Sequence, residues 1–306
     1  MTDAAINNEA QREALLVRTR QLAAQAREED LGAGDVTSAI IAQPGQGQFR
    51  LVAKQPCVLA GREIAQAVLD AYEANLRIDW AESAVDGTQF DHPPHELAEV
   101  TGPIDKVLAA ERVLLNFLQR LCGVATLTRR FVDAVAGTNA EILDTRKTTP
   151  GWRLLEKYAV RCGGGRNHRM GLYDAVLIKD NHLAPYPADQ LAGAVFQMLN
   201  RASSSQPAPK FIEVEADTLE QVEKLLTVVG IDVVLLDNFS LADLRQAVEL
   251  RRRLDPRDKV KLEASGGVTL ATVRDIALTG VDYISVGAIT HSATAVDLSL
   301  ERMSEP

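Results

Sequence analysis

Apolar residues recur at helical spacing through residues 8–29, where Leu15, Leu16, Leu22, Ala23 and Ala26 define one face, and this predicts an amphipathic opening helix. Asp30, Gly32, Gly34, Asp35, Thr37 and Ser38 follow as a turn whose acids and hydroxyls cap backbone donors. Short strands are predicted at residues 49–53, 76–80 and 97–100, with a helix at 63–72 and a turn at Asp86 and Gly87. Together these elements make an α+β layer.

A strongly apolar helix then opens at residues 111–118, and the pattern changes beyond it. Strands at 142–144, 175–178, 211–215, 233–236, 261–264 and 283–286 alternate with helical stretches at 218–228, 241–254 and 269–278. Such alternation predicts a parallel sheet. A further strand at 159–162 would make seven, and six or seven strands fall short of the eight of a regular β/α barrel. The expected fold is therefore α/β, with an α+β layer followed by a second domain built on this parallel sheet. The Ser/Pro-rich stretch 201–209 reads as an exposed loop, and Arg251 as an exposed helix position.

Composition changes this picture little, with 46% hydrophobic and 25% charged residues over 306 positions. The polar, acidic N-terminus is unlike a signal peptide, and no apolar run approaches a membrane span, so a cytoplasmic protein is expected. Cys57, Cys122 and Cys162 are widely spaced and read as buried free thiols. Charge is more telling. Residues 144–182 hold eight Lys/Arg and four Asp/Glu, a balance of +4 in a chain of net −9. A positive island in an acidic protein points to an anionic small molecule and away from nucleic acid.

The island's polar groups fall at the carboxyl ends of predicted strands, where β/α folds place their chemistry. The strand at 142–144 delivers Thr145, Arg146 and Lys147; the strand at 175–178 delivers Lys179, Asp180 and Asn181. In the next strand Glu213 and Glu215 alternate with Ile212 and Val214, so both carboxylates share one face. Inside a barrel they require a cationic partner, for which Lys147 and Lys179 are candidates. Glu215 with Asp237 suits ribose hydroxyls or a hydrated Mg²⁺. Ser265, Gly266 and Gly267, then Gly287, Ala288 and Ile289, end the last two strands; such glycine turns let backbone N–H groups approach a phosphate, and His291 follows within reach. Nucleotide P-loop, dinucleotide, zinc-protease and nucleophile-elbow motifs are missing, and His92 and His95 read as loop residues.

Taken in order, these motifs resemble the quinolinate phosphoribosyltransferase family nearly end to end. The match runs through Asp35, Val36, Thr37 and Ser38; Glu111, Arg112 and Asn116; Asp144 to Thr148; Asn167, His168 and Arg169; Lys179, Asp180, Asn181 and His182; Glu213 and Glu215; Asp237 and Asn238; Ser265 to Gly267; and Gly287 to Ser292. The resemblance implies an N-terminal α/β sandwich domain at 1–115, with the tail 292–306 packed on it, joined to an incomplete β/α barrel catalytic domain at 116–291. It implies phosphoribosyl transfer from phosphoribosyl pyrophosphate to quinolinate with decarboxylation, giving nicotinate mononucleotide, pyrophosphate and CO2, in a Mg²⁺-dependent homodimer. It implies that Thr145, Arg146, His168, Arg169 and Lys179, with Arg112 from the neighbouring subunit, hold the quinolinate carboxylates. Lys147, Glu215 and Asp237 would hold the ribosyl and pyrophosphate end with the metal, with Lys147, Lys179, Glu215 and Asp237 closest to the chemistry. Ser265, Gly266, Gly267, Gly287 and His291 would bind the 5′-phosphate. Two alternatives stand beside this: a phosphoribosyltransferase for another pyridine such as nicotinate, and a non-catalytic homologue that binds phosphoribosyl ligands.

Overall fold

A computed structural model describes residues 9–41, 45–203, 208–255, 257 and 259–303. They form two compact units, one from within 1–129, 148–164 and 289–306, the other from 130–147 and 165–288.

The first unit opens with α1 (Glu9–Leu31), whose buried positions Leu15, Thr19 and Ala23 recur every four residues and leave the rest of the helix polar. Asp35 accepts hydrogen bonds from the backbone of Thr37 and Ser38 and so starts α2 (Val36–Ile41) within the expected turn. Then come β1 (Gln46–Ala53), β2 (Cys57–Val58), α3 (Arg62–Tyr72), β3 (Arg77–Trp80), β4 (Gln89–Phe90) and β5 (His95–Pro103). His95, expected in a loop, begins β5 and stacks on Phe90 with ring centroids 4.4 Å apart. Helix α3 buries Ile64, Val68, Leu69 and Tyr72 against α1 and β3. Each aliphatic side chain so buried stabilises by about 1.5–3 kcal/mol.

Helix α4 (Ile104–Ala134) runs unbroken through residue 115, where the sequence placed a domain boundary, because its apolar face continues without a capping or breaking residue. After β6 (Glu141–Leu143) comes α5 (Arg153–Cys162), which stands where a strand was expected at 159–162. The four residues 159–162 are too few to show a helical period, which appears only when Arg153, Glu156, Lys157 and Arg161 are seen to recur at three- and four-residue spacing along α5.

The second unit continues with β7 (Val176–Ile178), α6 (Asp180–Leu183), α7 (Ala188–Ser203), β8 (Ile212–Ala216), α8 (Leu219–Leu225), β9 (Val233–Asp237), α9 (Leu241–Leu254), β10 (Lys261–Ser265), α10 (Val273–Ala277) and β11 (Tyr283–Ser285). Thr218 and Ser240 cap α8 and α9 by accepting from the backbone of Gln221 and Asp243. Six strands form one sheet in the order β6-β11-β10-β9-β8-β7, and every registered pair is parallel. Arg166 adds a single parallel bridge to Leu143, so the seventh position is one residue long rather than a strand. This is an incomplete β/α barrel. Arg251 is buried and ion-paired with Asp282, not exposed, because the last turn of α9 packs on that carboxylate. Of the expected loop at 201–209, residues up to Ser203 continue α7, and 204–207 lie outside the described residues.

The chain closes with α11 (Ala288–His291) and β12 (Leu298–Arg302), and β12 pairs antiparallel with β1 in the four-stranded sheet β12-β1-β5-β3 of the first unit. Approaching β12, the chain crosses α4 so closely that a Cβ at Gly123 would lie 2.2 Å from the carbonyl oxygen of Thr294. Among the described residues no helix is long and apolar enough to cross a membrane. Cys57, Cys122 and Cys162 are buried thiols, not disulfide-bonded among the described residues.

Candidate active site

A cavity of about 640 Å³ opens at the carboxyl ends of the parallel strands in the second unit. Each strand contributes the residue at or after its last hydrogen-bonded position, which is why groups far apart in sequence meet here. Of the residues expected at the site, Thr145, Arg146, Lys147, His168, Arg169, Lys179, Glu215, Asp237, Ser265, Gly266 and Gly267 all line it. Gly287 and His291 do not, and Arg112 is an exposed residue of α4 in the first unit.

The cationic side is built by the segment after β6. Asp144, fully buried, accepts hydrogen bonds from Asn167 Nδ2 at 2.6 Å and from the His168 backbone at 2.9 Å, which fixes where His168 and Arg169 leave the sheet. Thr145 Oγ1 accepts from the Lys147 backbone at 3.0 Å and sets the turn that presents Arg146 and Lys147. Arg169 is only 8% exposed. Its pKa is held down first by that burial and next by the nearby Arg146 charge, so two guanidinium groups converge on one wall. An anion resting there relieves both effects.

The acidic side follows β8 and β9. Glu215, Asp217 and Asp237 offer carboxylate oxygens that lie within 4.8 Å of one another. Burial raises Glu215, Lys179 opposes the rise, and Asp237 adds to it. Asp217 is raised as well, by burial and then by Asp180 and Asp237. Three hard oxygen donors crowded in this way fit a hydrated Mg²⁺. The alternation of Glu213 and Glu215 continues to Asp217, and that signal would have found the third acid.

Asp237 is held by its neighbour. Asn238, in the left-handed region at φ 56°, donates from its side-chain amide to Asp237 Oδ2 at 2.7 Å, while its backbone N–H bonds the carbonyl of Ser265 at 2.9 Å. The facing residue is Gly266, at φ 98°, where a Cβ would meet Asn238 Oδ1 at 2.1 Å. Only glycine fits that contact.

The floor departs from expectation. Glu213 is fully buried and pairs with His168, not with a lysine ammonium: His168 Nε2 lies 2.8 Å from Glu213 Oε2. The nearest atom-level partner is an imidazole because β8 points Glu213 inward, below the mouth where Lys147 and Lys179 stand. The Arg169 backbone donates to His168 Nδ1 at 2.7 Å, so the imidazole proton sits on Nε2. Glu263, not recognised from sequence because a single acid within an apolar strand carries no pattern, completes the floor; its Oε2 is 3.7 Å from His168 Nε2. Burial pushes both carboxyls up. The neighbouring Glu213 charge raises Glu263 further, whereas hydrogen bonding from Glu263 eases Glu213.

Comparison with known proteins identifies the family. Residues 35–122 match the model for the quinolinate phosphoribosyl transferase N-terminal domain and residues 124–301 that for its C-terminal domain. The chain is 39% identical over 273 residues to the probable nicotinate-nucleotide pyrophosphorylase [carboxylating] of Bacillus subtilis, covering 89% of each chain. It is also 39% identical to quinolinate phosphoribosyltransferase [decarboxylating] 1b of Nicotiana tabacum, covering 89% of this chain and 79% of that one. Among solved structures, the nicotinate-nucleotide pyrophosphorylase of Francisella tularensis superposes with a TM-score of 0.84 at 37% identity, over 94% of this chain and 97% of that one. The chain belongs to the quinolinate phosphoribosyltransferase family.

Proposed function

We propose that the protein transfers the phosphoribosyl group of phosphoribosyl pyrophosphate to the ring nitrogen of quinolinate with loss of CO2, forming nicotinate mononucleotide and pyrophosphate in NAD biosynthesis. One observation carries the reading: a single cavity is lined both by the guanidinium groups of Arg146 and Arg169 and by the carboxylates of Glu215 and Asp237, with Asp217 clustered beside them at its edge. A pyridine dicarboxylate suits the first set and a ribosyl pyrophosphate with its cation suits the second.

In this reading Arg146, Arg169, Lys179 and Thr145 bind the quinolinate carboxylates, planar guanidinium forks discriminating a diacid from a monoacid. His168 shapes the floor beneath them. Glu215 and Asp237 orient the ribose and favour the positive charge that develops at its C1′ as pyrophosphate leaves. Bound Mg²⁺ would neutralise the departing pyrophosphate; Glu215, Asp217 and Asp237 would hold it, and Lys147 would take the outer phosphate oxygens. Ser265, Gly266 and Gly267 receive the 5′-phosphate on backbone N–H groups, with Gly287 and His291 assigned to the same phosphate. Alkylation of the ring nitrogen makes the ring an electron sink, which allows the adjacent carboxylate to depart. We further propose a cytoplasmic homodimer in which Arg112 completes the neighbouring subunit's site. The test is an assay of nicotinate mononucleotide and labelled CO2 from quinolinate, with and without phosphoribosyl pyrophosphate; formation of neither in the complete mixture rejects the reading.

A further inference from the structure

The decarboxylation leaves one task without an assigned residue. When the bond between C2 and its carboxylate breaks, the electron pair stays on the ring carbon and a C–H bond must replace it. We infer that Glu263 supplies this proton from the cavity floor and regains it from water at the opposite end of the barrel. The inference rests on the functional reading above.

The geometry of Glu263 suits the role. It lies in the middle of β10, two residues before Ser265, and it lines the active-site cavity although the residue is only 1% exposed. Its Oε1 is sealed and has no hydrogen-bond partner among the described residues. A second cavity, of about 360 Å³, lies at the amino ends of the same strands, beside Asp232, Lys261 and Tyr283. The two cavities have two lining residues in common, His168 and Glu263. Glu263 is thus a carboxyl group with substrate space on one side and an outlet toward the other end of the sheet.

Its surroundings favour the neutral acid. Its surroundings are Glu213 from β8, His168 from the segment after β6, and Ser285 from β11, while the registered neighbour on β9, Leu235, is uncharged. Burial and then the Glu213 charge favour the neutral acid, and His168 and Ser285 oppose them. The obvious competitor is His168, but its Nδ1 accepts the Arg169 amide and its Nε2 proton points to Glu213, so neither ring nitrogen offers a proton to the cavity. The same tautomer argues against a metal among His168, Glu213 and Glu263, whose atoms cluster within 4.8 Å, because coordination needs the Nε2 lone pair. Guanidinium groups do not give up protons at neutral pH. A neutral carboxylic acid is a stronger proton donor than the Lys147 or Lys179 ammonium.

The step balances. CO2 departs with cleavage of the C2–carboxylate bond, the O–H bond of Glu263 breaks as C2–H forms, and the Glu263 carboxylate takes a proton from water in the second cavity. No oxidant or reductant is involved.

Single-turnover measurements on the full chain with quinolinate, phosphoribosyl pyrophosphate and Mg²⁺ test this by following pyrophosphate and nicotinate mononucleotide separately. Glu263→Gln keeps the shape and removes the acidic proton. Pyrophosphate release should stay within about threefold of wild type, while nicotinate mononucleotide forms about 10²–10⁴-fold more slowly and the carboxylated nucleotide accumulates. Should that variant fail to fold, Glu263→Asp carries the same test, with the acid set back by one methylene and mononucleotide formation slowed at least about tenfold. Equal slowing of both products, or no slowing of either, overturns the assignment. A wild-type enzyme that makes no nicotinate mononucleotide overturns the functional reading instead.

Discussion

His168 Nε2 stands 2.8 Å from Glu213 Oε2 while the opposite ring nitrogen accepts the Arg169 amide, so a fixed imidazole tautomer braces the floor of the cavity. The brace joins a loop residue to the second residue of β8. Nitrogen-15 spectra of the His168 ring should show the proton on Nε2, and Glu213→Ala, which leaves that N–H buried without an acceptor, should cost about 1–3 kcal/mol of stability. A ring protonated on Nδ1, or a variant as stable as wild type, would contradict the arrangement.

The paired arginines lead to a second expectation. Arg146→Lys and Arg169→Lys retain charge but lose the planar fork, and each should weaken kcat/KM for quinolinate by about 2–3 kcal/mol, roughly 30- to 150-fold. Exposed Arg252, whose contact is an i,i+3 pair with Glu249, is the fitting control, since Arg251 is buried against Asp282. Kinetics unchanged in both cavity variants would remove these residues from carboxylate binding.

How far the sequence reached depends on whether a residue's role is local. Strand ends such as Lys147, Lys179 and Asp237 were legible because a polar residue after an apolar strand marks the barrel mouth in any β/α fold. The partner of Glu213 was not, since His168 lies 45 positions away and reaches it only through the bend anchored by Asp144. Glu263 was hidden by its own burial, an acid between Leu262 and Ala264 with no periodic mate. Helix α5 was misread for a different reason: the window 159–162 is about one helical turn, and the polar face that marks the helix, Arg153, Glu156, Lys157 and Arg161, lies mostly before it. Arg166 could not be anticipated as the seventh strand position, because one bridging residue leaves no pattern.

The acidic trio makes its own forecast. Activity should disappear on chelation and return with Mg²⁺ and not require Zn²⁺, because the donors are carboxylate oxygens. Within the trio, Asp237→Asn should be more damaging than Asp217→Asn. Asp237 lines the cavity and is held in place by Asn238, whereas Asp217 is exposed and outside the lining. The two variants are compared by titrating Mg²⁺ in the assay and by direct calorimetry of Mg²⁺ with pyrophosphate present. Full activity in chelator, or a reversed order of the two variants, would refute the metal assignment.

Arg112 provides the last expectation. It is exposed on α4 and is not among the residues that line the cavity, and the proposal places it in the neighbouring subunit's site. In a two-fold dimer each cavity would draw Lys147 from one chain and Arg112 from the other. Arg112→Ala and Lys147→Ala chains should each be nearly inactive alone. On mixing and subunit exchange, random pairing makes about half the dimers mixed, and each mixed dimer has one intact site of two, so roughly a quarter of wild-type activity should return. An arginine that serves only its own chain, or only the helix surface, predicts no recovery. Subunit exchange demonstrated by mass, with activity still missing, would therefore assign Arg112 elsewhere.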